Sequence, residues 1–158
     1  MPSKKHSGKE PAISATIKTE VVCPNDTNPM DLLKGGRLVE WMDIAAAVCA
    51  QTHAGTIAVT ASINRVDFFE AVKIGAIVTM HANITRSFTT SMEIQVKAYA
   101  RTVAEGKNFL VSEAYFTFVA LDSYGKKTKV MAVLPRGKEE KKQYEAALIR
   151  RAKIQVAE

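Results

Sequence analysis

The residue of this chain best placed to do chemistry is Asp43, because it interrupts a stretch that is otherwise apolar. The run GGRLVEWMDIAAAVCAQTHAG (residues 35–55) places Leu38, Trp41, Ala45 and Val48 at helical spacing and is rich in alanine. It predicts a helix that begins near Gly36 and stops at Gly55. At 100° per residue, Asp43 shares a face with Gly36, Val39, Ala46, Ala47 and Ala50. Burying an unpaired carboxylate on such a face costs several kcal/mol, roughly. Asp43 lies too far into the helix to be an N-cap, and alanines with a valine make a poor solvated face. A functional carboxylate is the better reading. The pair Gly35–Gly36 opens the helix. Free N–H groups there stabilise developing negative charge, and glycine lets a substrate approach the backbone. A Gly-Gly pair alone is usually only a turn; near a carboxylate it says more. Asn28 precedes Pro29 in the loop just before. It is a turn residue, or an uncharged donor and acceptor that orients a water or a carbonyl.

Other chemistries are argued against. No GxSxG is present, which disfavours an α/β-hydrolase, and no GxxxxGK[ST], which disfavours nucleotide hydrolysis. His6, His53 and His81 have no nucleophile at motif spacing, and His53, near the helix end, is better explained by the helix dipole. Cys23 and Cys49 show no CxxC spacing, so neither a zinc site nor a disulfide framework is expected. Cys49 reads as a small buried hydrophobe.

The elements that must position these groups follow from the pattern. The 158 residues, 47% hydrophobic and 24% charged, suit one globular domain. Residues 1–12 read as a flexible lead, 13–137 as the domain and 138–158 as a charged C-terminal helix. A first strand is expected from Ile13, and the Pro-, Asn- and Asp-dense CPNDTNPMD as a loop. After the helix, strand signals dominate. Ile57, Val59, Ala61 and Ile63 alternate with polar neighbours, with a phase shift before Val66 that marks a bulge. Residues 76–88, the alternating run from Met92 to Arg101, residues 109–121 and TKVMAVLP complete the series. Short turns imply antiparallel neighbours, and a lone apolar helix needs a sheet around it. The expected fold is α+β, a curved antiparallel sheet wrapped on one long central helix. No apolar stretch reaches membrane-spanning length and the N-terminus lacks a secretory pattern, so a cytoplasmic protein without a membrane partner is expected. The net charge of +6 favours anionic partners, although much of it sits at the two ends. The strands lack an aromatic RNP-like cluster, which argues against nucleic acid.

The run DTNPMDLLKGGRLVEWMDIAAAVCA resembles the signature region of hotdog-fold acyl-CoA hydrolases, in its Thr-Asn dipeptide, its Gly-Gly pair and its Met-Asp-x-Ala segment. VTASINRVDFFEAVKIGAIVTMHANI, EAYFTFVALDSYGKKTKVMAVLP and the tail EEKKQYEAALIRRAK are similar to later segments of that family, so the resemblance covers roughly residues 13–152. Lys34 departs from it, since relatives often carry an aromatic there; this bears on the acyl entrance. The resemblance implies a hotdog fold, dimers with sites at their interface, and often a trimer of dimers. It implies an acyl-CoA substrate and no separate cofactor. Asn28 of one subunit would meet Asp43 of the other, with Gly36 N–H as oxyanion donor and Asp43 as base or nucleophile. For the CoA phosphates, Arg65, Arg86, Lys97, Arg101 and Arg136 are candidates, Arg65 and Arg86 foremost, with Thr90 and Ser91 adding hydroxyls. A hotdog dehydratase, or a non-catalytic acyl-CoA binder, is the alternative; the dehydratase usually wants a histidine that the glycine block lacks.

Overall fold

The computed structural model describes residues 7–157. Residues 1–6, half of the expected lead, lie outside the described residues. In chain order the elements are β1 (Gly8–Lys9), a 3-10 turn (Pro11–Ile13), β2 (Thr16–Val21), a second 3-10 turn (Pro24–Asp26), α1 (Gly35–Ala54), β3 (Ile57–Phe68), β4 (Ile77–Ser87), β5 (Ser91–Arg101), β6 (Phe109–Leu121), β7 (Ala132–Val133) and α2 (Gly137–Ala157). The main sheet is five-stranded and antiparallel, in the order β2-β4-β5-β6-β3. It wraps α1, as the hotdog expectation requires.

Helix α1 starts and stops where its sequence says. Gly55 adopts φ 70°, the left-handed C-terminal conformation that glycine takes without penalty. Leu38, Trp41, Met42, Ala45, Ala46, Cys49 and Ala50 are buried against Val78, Met80, Ile94, Val96, Phe116 and Phe118 of the sheet. Cys49 is the small buried hydrophobe expected, and burial pushes its thiol up to about 11.

Strand β3 is an edge. Its pairing with β6 slips between Thr60 and Ser62 and again between Ile63 and Arg65, so the single phase shift read from the sequence is two bulges. The bulges divide the apolar alternation. Ile57 and Val59 pair with Leu121 and Val119 on the outer face, while Ile63 pairs with the buried Phe116 on the helix face.

Several expectations are corrected. The strand expected from Ile13 starts at Thr16, because Pro11 initiates a 3-10 turn instead. TKVMAVLP adds no strand to the main sheet: within it Ala132–Val133 form a short strand that pairs in parallel with Gly8–Lys9, in a separate two-stranded sheet. The described part of the lead is therefore tied down rather than loose. Lys9 Nζ also donates to the carbonyl oxygens of His53 (3.0 Å) and Thr52 (3.4 Å). Helix α2 is part of the same body. Arg150 reaches Glu93 on β5 at 2.6 Å, and Arg86 of β4 donates to Tyr144 O at 3.1 Å. No helix among the described residues is long and apolar enough to cross a membrane.

His53 is also corrected. It is fully buried, and its Nε2 lies 2.7 Å from Met131 O, so Nε2 carries the proton. Nδ1 is left with no partner. Burial pulls its pKa below the ordinary value, and the nearby Lys9 ammonium acts in the same direction, so desolvation outweighs the helix dipole. Lys9 is the cation that caps the helix carbonyls. A histidine that is neutral when folded and ordinary when unfolded costs stability as pH falls below about 6.5, down to its folded pKa. Stability should therefore fall between pH 7 and 5.5 by up to roughly 1.4 kcal/mol per pH unit more in the wild type than in His53→Gln. Urea denaturation at a series of pH values reads this; parallel curves would remove His53 from the account.

Candidate active site

Asp43 lies on the flank of α1 that faces β3. Thr60 is two residues on from the buried Ala58, so its side chain points at the helix, and its Oγ1 donates to Asp43 Oδ1 at 2.6 Å. That bond occupies one carboxylate oxygen and leaves Oδ2 without a protein donor among the described residues. The expected setting is corrected in degree. Ala46 and Ala50 are buried, but Asp43 and Ala47 are half-buried, and the neighbouring Ile44 and Val48 are 43% and 46% exposed. The carboxylate sits at the rim of the core, beside apolar surface that nothing in one chain covers.

Gly36 lies two turns before Asp43 on the same face, about 10 Å along the axis. The first helical bond runs from Leu38 N–H to Lys34 O, so the N–H groups of Gly35, Gly36 and Arg37 precede it. A methyl group at Gly36 would meet nothing within 4 Å, whereas one at Gly35 would touch the Phe68 ring at 3.4 Å. Gly36 is exposed, with open space where a side chain would stand.

Asn28 is held by its own loop. Its Oδ1 accepts the backbone N–H of Met30 (2.9 Å) and of Leu32 (3.2 Å), and its N–H donates to Leu32 O at 2.9 Å. With Oδ1 so engaged, Nδ2 is the group left over, and the residue is a donor rather than an acceptor. Asp31, at φ 57°, closes the turn. Asp26 fastens the loop to the helix: Oδ2 accepts Cys23 N–H (2.9 Å), Oδ1 faces Arg37 Nε (2.8 Å), and its carbonyl accepts Lys34 N–H (3.0 Å). This explains a cation in the first turn of a helix, which the dipole disfavours. No hydrogen bond joins Asn28 to Asp43 within the chain, among the described residues.

The candidate phosphate residues divide. Arg86, Thr90 and Ser91 line one groove, between the β4–β5 hairpin and α2, together with Arg151 and Lys129. Arg65 lies apart, exposed and paired with Asp67 at 2.8 Å. Arg136 is paired with Glu10 at 2.8 Å. Lys97 lines another groove beside His81 and Tyr99, and Arg101 ends β5. Sequence reasoning missed Thr60, Asp26, Arg151 and Lys129. Thr60 stands at the first slip of β3 against β6, which the alternation in the sequence does not show; the others depend on tertiary contact.

Comparison with known proteins adds the following. A family profile described as the thioesterase superfamily matches residues 31–107. A Bacillus subtilis protein described as an uncharacterised acyl-CoA thioester hydrolase, YkhA, is 37% identical over 127 residues, covering 80% of this chain and 74% of that protein. Mouse acetyl-coenzyme A thioesterase is 33% identical over 135 residues, 85% of this chain, but the chain spans only 24% of its length. Among solved structures, an acyl-CoA hydrolase from Staphylococcus aureus superposes with a TM-score of 0.91 at 34% identity, covering 96% of this chain and 91% of that one. That structure holds coenzyme A and has alanine in place of an asparagine. The same enzyme has been solved with alanine in place of an aspartate and of a threonine. A hexameric acyl-CoA thioesterase gives a TM-score of 0.91 at 34% identity, covering 95% and 97% of the two chains.

Proposed function

Since the chain belongs to the acyl-CoA thioester hydrolases of the thioesterase superfamily, we propose that it hydrolyses fatty acyl-CoA to a free fatty acid and CoA, at sites shared between two subunits. The observation that carries the reading is the Asp43 carboxylate, anchored on one oxygen by Thr60 and open on the other, on the same helix face as the free Gly36 N–H.

The thioester carbonyl oxygen lies toward Gly36 N–H and the positive end of α1, which stabilise the oxyanion. Asp43 Oδ2 takes a proton from a water, and that water attacks the carbonyl carbon. Asn28 Nδ2, the spare donor of a rigid loop, donates to the same carbonyl oxygen. The tetrahedral intermediate expels the CoA thiolate. A thiol pKa near 8.5 makes this a good leaving group that needs little acid help.

No hydrogen bond joins Asn28 to Asp43 among the described residues of one chain, which supports a second copy supplying the missing group. Strand β3 supports this. It is an edge strand of 12 residues, with Ile57 65%, Val59 44% and Ile63 39% exposed. An unpaired apolar edge of that length is a template for pairing. Edge-to-edge pairing about a two-fold axis gives two equivalent sites per dimer. The hexameric state of the thioesterases it resembles supports a trimer of such dimers.

A thiol-release assay over acyl-CoAs of increasing chain length tests the activity. Release above the spontaneous rate for at least one chain length is expected. None at any length would leave only a dehydratase or a non-catalytic binder. Thr60→Val, which keeps shape and removes the donor, should lower kcat about tenfold, the order expected for losing one partly exposed hydrogen bond to a charged group. An unaltered kcat would make Thr60 a bystander.

A further inference from the structure

The open groove between the β4–β5 hairpin and α2 offers about 880 Å³ and contains no carboxylate in its lining. Three cations converge on it: Arg86 from the end of β4, Lys129 from the segment after β6, and Arg151 from α2. Of the other five arginines four are balanced, Arg101 being the exception among the described residues. Arg37, Arg65, Arg136 and Arg150 each face a carboxylate within 2.8 Å of a guanidinium nitrogen. Arg86 and Arg151 face only neutral partners. Arg86 donates to Tyr144 O (3.1 Å) and stacks 4.0 Å from the Tyr144 ring centroid. Arg151 donates to Ser91 Oγ (3.0 Å) and stacks 4.1 Å from the Phe88 centroid. Phe88 thus carries one guanidinium closely and the other at 6.0 Å.

These contacts fix the two forks and use little of their capacity. Each guanidinium has five N–H donors, and one hydrogen bond to the protein is recorded for each. Half-buried like charges repel unless an anion joins them. Forked donors match phosphate oxygens, and a phosphate monoester carries nearly two charges at neutral pH. Thr89 and Thr90 add hydroxyls on the hairpin side.

We propose that this groove is a phosphate-monoester site, with Arg86, Arg151 and Lys129 as its ligands. Its source is the 3′-phosphate of CoA, an assignment that rests on the acyl-CoA reading above; a free phosphate ester carries the same chemistry. Arg86 and Ser91 then serve the nucleotide end of the substrate, while Arg65 and Arg136, committed to Asp67 and Glu10, do not.

The test compares butyryl-CoA with butyryl-3′-dephospho-CoA. The wild type should favour the phosphorylated substrate at least tenfold in kcat/KM. In Arg151→Gln/Lys129→Gln that preference should collapse through a KM for butyryl-CoA raised about tenfold, with the dephospho substrate shifted less than twofold. Lys129→Gln alone, at an exposed position, serves if the double variant melts early. Calorimetric titration with adenosine 3′,5′-bisphosphate separates the sources. If the variant keeps the substrate preference but loses a binding of this probe that the wild type shows, the groove takes a free phosphate ester. If neither thioester is hydrolysed, the acyl-CoA reading fails and the titration decides the site alone. A variant with the wild-type preference and the wild-type affinity for the probe overturns the proposal.

Discussion

Replacing Asp43 with alanine should lower kcat for acyl-CoA hydrolysis by at least about 10²-fold, the range of a lost general base. The unfolding midpoint should move little. The carboxylate is half-buried and its recorded partner is one hydroxyl, so its removal leaves no buried charge behind. Asp43→Asn is the more telling substitution, because it keeps the shape and the acceptor for Thr60 yet cannot take a proton. Asn28→Asp is its counterpart in the loop. The backbone N–H groups of Met30 and Leu32 would still find an oxygen, but Nδ2 becomes an oxygen that repels the developing oxyanion. It should cost more activity than Asn28→Ala. A second expectation follows if the site is shared: mixing inactive Asn28→Ala and Asp43→Ala subunits should restore activity, because a mixed dimer holds one site with both native residues. A folded Asp43→Ala enzyme that retains a tenth of wild-type kcat would remove the carboxylate from the mechanism.

The largest loss of stability is expected at Arg150. Its guanidinium meets Glu93 through Nε (3.0 and 3.2 Å) and Nη2 (2.6 Å) and lies 4.0 Å over the Tyr115 ring. Glu93 is 4% exposed and also accepts Thr85 Oγ1 at 2.6 Å. Arg150→Ala would leave that carboxylate buried without its cation, at a cost of about 3–5 kcal/mol. Glu93→Gln combined with Arg150→Gln should recover much of the loss, since the same asymmetry makes a broken pair worse than no pair. Next to them the Tyr115 hydroxyl donates to Glu113 at 2.8 Å, and burial together with that carboxylate pushes its phenol up. Chemical denaturation of the three proteins measures the effect. A single Arg150→Ala variant within 1 kcal/mol of wild type would show that α2 is held by other contacts.

The central helix was legible because its Leu, Trp and Ala spacing states a buried stripe, and Gly55 states its end. Strand β5 was legible from strict alternation, and β6 from a long, aromatic, β-prone run. The second covering of the sheet was not. Ser91, Glu93 and Gln95 read as the solvent side of β5, yet they are 7%, 4% and 9% exposed because α2 lies over them. A charged helix gives no period that reports what it covers, since its arginines pair across space with residues some 60 positions away. The strap at the N-terminus was hidden for a related reason. Two residues of parallel pairing and one lysine on helix carbonyls leave no pattern in the chain. At the candidate site, Asp43 and Gly36 could be read because a helix fixes their relation. Thr60 could not, because its approach depends on how β6 sets the register of β3. The burial of Asp43 was overestimated, since a one-dimensional pattern cannot separate a core face from a face awaiting another subunit.

The last turns of α2 concentrate two unlike duties on adjacent residues, Arg150 clamping Glu93 and Arg151 turning to Ser91 and Phe88. A reading-frame interruption just before this pair would strip both at once, whereas one a few codons later would spare them. The gene's tolerance of premature stops should thus change abruptly across these two codons, rather than fade gradually toward the terminus.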